Sequence, residues 1–120
     1  MSRATARQVL DRRRAEQAAL VAKAKRFAED LDPALGIHAV VVFGSVARGD
    51  FHDSSDVDVL VIADNISAQA LERNAAIGVP PPRVEFVVWT PDEWRRERER
   101  GNPIAAEAAE RGLLLRGVLP

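Results

Sequence analysis

Residues 44–58 read GSVARGDFHDSSDVD and join a Gly-Ser turn to two aspartates at the start of an apolar run. In an extended strand, side chains two residues apart point to the same face, so Asp56 and Asp58 hold their carboxylates side by side. Two like charges at that spacing shift a pKa, find cationic partners or share a bound cation. With Gly44 and Ser45 on a strand-to-helix turn just upstream, this stretch predicts a site for Mg²⁺ and a nucleoside triphosphate.

Two better-known motifs are excluded by the residues that follow. Gly44 and Gly49 have the glycine spacing of a P-loop, but Asp50 and Phe51 stand where that motif needs Lys and then Ser or Thr. The aspartate pair could open an EF-hand loop, but Leu60 supplies no third oxygen ligand and the obligatory glycine is missing. Neither a P-loop nor an EF-hand is therefore predicted.

The rest of the chain predicts strands that alternate with helices. Residues 5–31 lack Gly and Pro and repeat apolar side chains every three or four positions, which indicates an amphipathic helix. The first half of this helix has a weaker apolar stripe and is expected to project from the body. Thr90, Pro91 and Glu93 form a helix-start pattern with a capping box. These elements predict an α/β (α+β) fold, a small mixed β-sheet flanked by helices. The predicted strands are 37–43, 57–63 and 84–89, and the predicted helices are 5–31, 67–77, 91–101 and 104–111, with 113–115 as a short strand or an extended tail.

Length and composition limit the class of protein. A chain of 120 residues that is 47% hydrophobic and 29% charged suits a single globular domain, predicted over residues 1–120. Its net charge of −1 argues against a general nucleic-acid-binding or membrane-binding surface. The lack of cysteine excludes disulfides, thiolate zinc sites and cysteine nucleophiles. No long apolar segment and no signal-like start are present in the sequence, so we expect a cytoplasmic protein.

The Gly-Ser turn and the paired aspartates, on consecutive predicted strands, resemble the signature of the DNA polymerase β-like nucleotidyltransferase superfamily. The similarity is greatest to its minimal nucleotidyltransferases, which occur as antitoxin partners of HEPN proteins. The motif covers residues 44–58, and the order of predicted elements agrees over about 20–116. The resemblance implies the polymerase β-like fold, with a catalytic core at about 37–90 followed by C-terminal helices at 91–111.

The resemblance also implies roles for individual residues. Gly44 and Ser45 would bind the triphosphate, through close backbone approach, a hydroxyl and a backbone N–H. Asp56 and Asp58 would hold one or two Mg²⁺ ions while an acceptor hydroxyl attacks the α-phosphorus of ATP or another nucleoside triphosphate. Glu85, on the third predicted strand, stands where the superfamily has its third carboxylate, more often an aspartate. It would complete the metal site and help to deprotonate the acceptor hydroxyl.

Two of the candidate residues also have a purely structural interpretation. Arg48 lies close enough to the turn to contact the triphosphate, but it could instead counter the charge of Asp50 or Asp53. Glu85 could pair with Arg83 or face solvent as an ordinary strand residue. The sequence leaves both alternatives open.

Three functions are compatible with these residues. The resemblance implies an enzyme that transfers NMP, predicted as AMP from ATP, to a tyrosine of a HEPN toxin and so acts as an antitoxin. A second possibility is a nucleotide-binding or toxin-binding module whose catalysis is impaired by Glu85. A third is a free-standing small-molecule transferase of the aminoglycoside type. The sequence does not exclude a homo-oligomer in any of these cases.

Overall fold

The structure, a computed structural model, describes residues 4–120. The three predicted strands have the expected bounds, because each is a run rich in β-branched and aromatic residues between turn-forming segments. The elements in chain order are α1 (Ala6–Asp30), a 3₁₀ turn (Pro33–Leu35), β1 (Ile37–Phe43), α2 (Gly44–Arg48), β2 (Val57–Ala63), α3 (Ala70–Ile77), β3 (Val84–Trp89), α4 (Pro91–Glu99), α5 (Pro103–Arg111) and β4 (Leu113–Gly117).

The strands form one mixed sheet in the order β3-β2-β1-β4. β1 is antiparallel to β2 and β4, whereas β2 is parallel to β3. A parallel pair needs a crossover connection, and the segment that contains α3 supplies it. Helices pack against both faces of the sheet. The predicted α/β fold with a small mixed sheet flanked by helices is therefore confirmed.

Alternation of side chains along the strands divides the core into two layers, one against α1 and one against α4 and α5. Val57 and Val59 belong to the α1 layer, so Asp58 between them lies on the opposite face. Glu85 is the register partner of Asp58 and lies on that same face. The α1 layer includes Leu20, Ala24, Phe27, Val40, Val42 and Val61, and the second layer includes Val41, Leu60, Ile62, Trp94, Ala105 and Ala108.

The N-terminal half of α1 extends past one end of the sheet. Thr5 caps the helix through its side chain, and residues 4–12 are exposed, while Leu20 is the first buried position. Between them, Gln17 donates from Nε2 to the carbonyl of Val46 in α2 at 2.7 Å. The molecule measures 56 × 29 × 22 Å. The expected projection of the first half of α1 is therefore observed for residues 4–12. Arg13 already contacts the body, because its guanidinium donates to the Phe51 carbonyl and lies 4.3 Å from the centre of the Phe51 ring.

Several boundaries differ from the sequence-based expectation. α3 begins at Ala70 rather than near Ser67, because the Ser67 hydroxyl accepts the N–H of Gln69 at 3.0 Å and forms a turn before the helix. α4 ends at residue 99 rather than 101. The tail is a strand that continues to Gly117, where φ is 71° and a Cβ would lie 2.0 Å from the carbonyl oxygen of His38. Only glycine fits that position.

An ion pair connects the crossover helix α3 to α4. Arg73 donates from Nη1 to the Val88 carbonyl and to Oε1 of Glu93, both at 3.0 Å, and from Nε to the Ser67 carbonyl at 2.7 Å. The Arg73 and Glu93 side chains are only 14% and 28% exposed. Burial opposes ionisation of Glu93, but hydrogen bonds from Thr90 and the charge of Arg73 outweigh it, so the pKa of Glu93 is lowered.

Replacing Arg73 with alanine is expected to lower the free energy of unfolding by about 1–3 kcal/mol, because Val88 and Glu93 lose a half-buried partner. Because the pKa of Glu93 is lowered in the folded protein, its ionised carboxylate stabilises the fold at pH values above the unfolded-state pKa of 4.5. This stabilisation is lost as the pH falls through the folded-state pKa. The difference in the free energy of unfolding between wild type and Arg73→Ala should therefore become smaller in acid. Urea unfolding at neutral pH and at about pH 3 measures both quantities.

Arg100→Ala is the matched control for this prediction. Arg100 pairs with Glu97 at 3.2 Å, but its side chain is 76% exposed, so the loss should stay below about 0.5 kcal/mol. Equal losses of unfolding free energy for the two variants would show that the stabilisation by the Arg73 ion pair does not depend on its burial.

Candidate active site

Gly44 lies where β1 passes directly into α2. Its φ of 77° is in the left-handed region that favours glycine. A Cβ on Gly44 would lie 2.6 Å from Oδ2 of Asp58, nearer than real Cβ contacts come. The two meet because Phe43, the last residue of β1, is opposite Asp58 in the β1–β2 register. The missing side chain at Gly44 therefore makes room for a carboxylate.

Ser45 follows as the second residue of α2 and is half-buried. The helix is short and is capped at its C-terminus by Gly49, whose N–H donates to the Ser45 carbonyl at 2.8 Å. The predicted sequence of strand, Gly-Ser turn and short helix through Arg48 is therefore present. It places Ser45 beside Gly44, at the end of the sheet where the carboxylates lie.

The three candidate carboxylates come from neighbouring strands. Asp58 and Glu85 each occupy the second position of their strand and are direct partners in the parallel β2–β3 register. Asp56 lies one residue before β2. Residues two apart in an extended segment point to the same face of a sheet, so Asp56 and Asp58 both lie on the face of the sheet that carries Glu85. The fold thus brings together residues that are far apart in the sequence.

The electrostatics of the cluster reflect crowded negative charge. Burial is the main cause that raises the pKa of Asp58, followed by the charges of Asp56 and Glu107, and Arg48 offsets part of the shift. A hydrogen bond with Asp56, and then the charge of Asp56, raises the pKa of Glu85. Both pKa values are raised, as expected when the negative charge of neighbouring carboxylates is not fully neutralised by cationic side chains of the protein. This charge distribution favours binding of a cation.

The carboxylates do not by themselves form a complete coordination shell. Within residues 4–120, no group of three or more His, Asp or Glu side chains is arranged to hold a metal ion. Mg²⁺ is commonly bound by only one or two carboxylates, with water and substrate phosphates as its other ligands. The adjacent hard oxygen donors of Asp56 and Asp58 therefore fit an ion that binds together with a nucleotide.

The loop before Asp56 is held by Arg83, the residue just before β3. The guanidinium of Arg83 donates to the carbonyl of Ser55 from both Nε, at 3.1 Å, and Nη2. The Arg83 carbonyl in turn accepts the N–H of Val57 at 2.7 Å. Arg83 thus fixes the backbone beside Asp56, and the ion pair with Glu85 that the sequence left open is not among its contacts in residues 4–120.

Arg48, the last residue of α2, has a carboxylate on each side of its guanidinium. Nε donates to Oδ2 of Asp50 at 3.1 Å, and Nη1 donates to Oε1 of Glu107 on α5. The hydrogen bond to Asp50 is the main cause that raises the pKa of Arg48. The counterion role toward Asp50 that the sequence suggested is therefore observed. Glu107 was missed, because it lies 59 residues from Arg48 and no local pattern marks it.

Comparison with protein families agrees with this geometry. A family model described as "Nucleotidyltransferase domain" matches residues 21–106, which contain the Gly-Ser turn, the candidate carboxylates and strands β1 to β3. The chain belongs to this family and is a minimal nucleotidyltransferase of the DNA polymerase β-like superfamily. Domains of this family generally use a nucleoside triphosphate and a divalent metal.

Comparison with solved structures supports the same fold. The crystal structure of a candidate nucleotidyltransferase from Sulfolobus solfataricus is similar with a TM-score of 0.63 and 23% sequence identity. The match covers 85% of this chain and 84% of the Sulfolobus chain. The comparison with curated proteins found no match. Among residues 4–120, no helix has the length and apolar character needed to cross a membrane.

Proposed function

We propose that this chain is an active Mg²⁺-dependent nucleotidyltransferase, folded as one domain over residues 1–120, that transfers AMP from ATP to a hydroxyl group. One observation carries the proposal: Asp58 and Glu85 are register partners on adjacent strands, with Asp56 beside them and Gly44 packed against the Asp58 carboxylate. A Gly-Ser turn that is proposed to bind phosphate thus lies beside carboxylates whose charge favours a cation. Membership of the nucleotidyltransferase family supports this interpretation.

The proposed chemistry is an in-line displacement. The acceptor oxygen forms a bond to the α-phosphorus, the bond from that phosphorus to the pyrophosphate oxygen breaks, and pyrophosphate leaves. Gly44 and Ser45 orient the triphosphate, and Glu85 accepts the proton of the attacking hydroxyl. Asp56 and Asp58 would hold Mg²⁺ with the substrate phosphates as further ligands, and the ion would neutralise phosphate charge. Glu85 is proposed as the third carboxylate of this site. Atoms and charge balance, because the proton lost by the acceptor is carried by Glu85.

The acceptor is proposed to be a tyrosine of a HEPN toxin, so that the chain acts as an antitoxin. The resemblance to minimal nucleotidyltransferases suggests this partner. The shape of the chain also suits a macromolecular acceptor, because α1 extends past the end of the sheet where the site lies. This segment carries exposed apolar side chains, Val9 at 46% and Leu10 at 56% exposed. A protein acceptor could contact it while a hydroxyl reaches the carboxylates.

The test is to incubate the protein with Mg²⁺ and ATP labelled at the α-phosphate, with and without the protein encoded by the neighbouring gene. We expect α-label on a tyrosine of the partner, and no transfer when the label is on the γ-phosphate. A stable complex that binds ATP without transfer would instead favour an impaired binding module. Label on a small molecule without a partner would favour the third function. Transfer of γ-label would contradict nucleotidyl transfer altogether.

A further inference from the structure

Glu107 lies in the middle of α5 and faces the active-site side of the molecule. Two neighbours on its helix, Ala105 and Ala108, are buried in the second core layer, which fixes how α5 sits against the sheet. Glu107 is thereby directed toward α2, where its Oε1 accepts a hydrogen bond from Nη1 of Arg48. The Glu107 and Arg48 side chains are 37% and 29% exposed. The contact therefore lies at the surface, between two elements that the core holds in place.

Arg48 is oriented by two carboxylates rather than one. Asp50 accepts from Nε and Glu107 from Nη1. A guanidinium has five N–H donors in a rigid plane, so two fixed hydrogen bonds also fix the direction of the others. Within residues 4–120, these two carboxylates are its hydrogen-bond partners, which leaves donors for a ligand.

Arg48 lies one helical turn from the residue that packs on Asp58. α2 begins at Gly44, where an added Cβ would lie 2.6 Å from Oδ2 of Asp58, and it ends at Arg48. Residues four apart share a face of a helix, so Arg48 lies on the Gly44 side of α2. The guanidinium is thus held near the point where a bound triphosphate would meet the carboxylates.

We propose that Glu107 is a positioning residue of this site: together with Asp50 it holds the Arg48 guanidinium beside Asp58, with its remaining donors ready for the triphosphate. This inference rests on the proposed function. The benefit is preorganisation, because a long arginine side chain that is already ordered loses less conformational entropy when the nucleotide binds. Since both side chains are partly exposed, their ion pair contributes little to stability, so Glu107 variants should fold.

The test measures the Kd for ATP in the presence of Mg²⁺ by calorimetry. Glu107→Ala should weaken ATP binding by about tenfold, because Arg48 loses its orientation. The Kd of Glu107→Gln should lie between those of wild type and Glu107→Ala, since the amide oxygen still accepts a hydrogen bond but carries no charge. Glu110→Ala is the matched control, because it removes the same charge from an exposed position of the same helix. This control should leave the Kd unchanged.

A double-mutant cycle separates positioning from a general charge effect. If Glu107 acts through Arg48, Glu107→Ala should have no further effect on the Kd in an Arg48→Ala background. Additive effects, an unchanged Kd, or tighter binding in Glu107→Ala would each overturn the inference. If wild type binds ATP and Glu107→Ala has the same Kd, only the proposed role of Glu107 is rejected. Wild type that binds none of the four nucleoside triphosphates rejects the proposed function and this inference with it.

Discussion

Asp58→Asn is expected to lower the rate of nucleotidyl transfer on the order of a thousandfold, which corresponds to about 4 kcal/mol of transition-state stabilisation. Asparagine keeps the shape of the side chain but removes the negative charge that would hold the cation. Asp58 is packed against Gly44 and paired in register with Glu85, so its carboxylate has a fixed place between the turn and the third candidate carboxylate. The rate of α-label release or transfer from ATP measures the loss.

The same substitution should not destabilise the fold. The pKa of Asp58 is raised, first by burial, so ionisation is harder in the folded protein than in the unfolded chain. A raised carboxyl pKa means that stability falls as the pH rises from the unfolded value of 3.8 through the folded value. At neutral pH, Asp58→Asn should therefore leave Tm unchanged or increase it.

Asp53→Asn is the control for this prediction, because it makes the same change in the exposed loop that precedes the pair. It should leave both the rate and Tm near their wild-type values. If Asp58→Asn retained activity within tenfold of wild type, the assignment of Asp58 to the metal site would be wrong.

Gly44→Ala is expected to have the second largest effect, a loss of transfer activity on the order of a hundredfold. The added Cβ would lie 2.6 Å from Oδ2 of Asp58 and must displace the carboxylate or the turn. Its positive φ adds backbone strain of about 1–3 kcal/mol. Activity and the free energy of unfolding should therefore both fall.

Gly101→Ala separates backbone strain from displacement of the carboxylate. Gly101 has nearly the same φ, 74°, but a Cβ there would meet nothing within 4 Å. We expect it to lose stability while it retains activity. Equal activity losses in the two glycine variants would mean that the Gly44 effect is only a consequence of reduced stability.

The elements of this fold could be predicted because their signals are local. β1, β2 and β3 are short apolar runs bounded by turn residues, and α4 begins with a capping box in which the Thr90 side chain accepts the N–H of Glu93 at 3.1 Å. The start of α3 was predicted too early, because Ser67 suits a helix N-terminus as well as the turn that it forms here. The sequence does not decide whether residues 113–115 form a strand or an extended tail, because an edge strand is recognised by its pairing with a neighbour, here β1.

By itself, the sequence determined the order and type of the elements and the Gly-Ser turn followed by paired aspartates, since these depend on neighbours along the chain. Only the tertiary structure decided that Glu85 is the partner of Asp58 and that the Asp58 carboxylate packs on Gly44. It also decided that Arg48 is held by Glu107. Those contacts join residues on separate elements, and their formation depends on strand register and helix packing, for which the sequence carries no local signal.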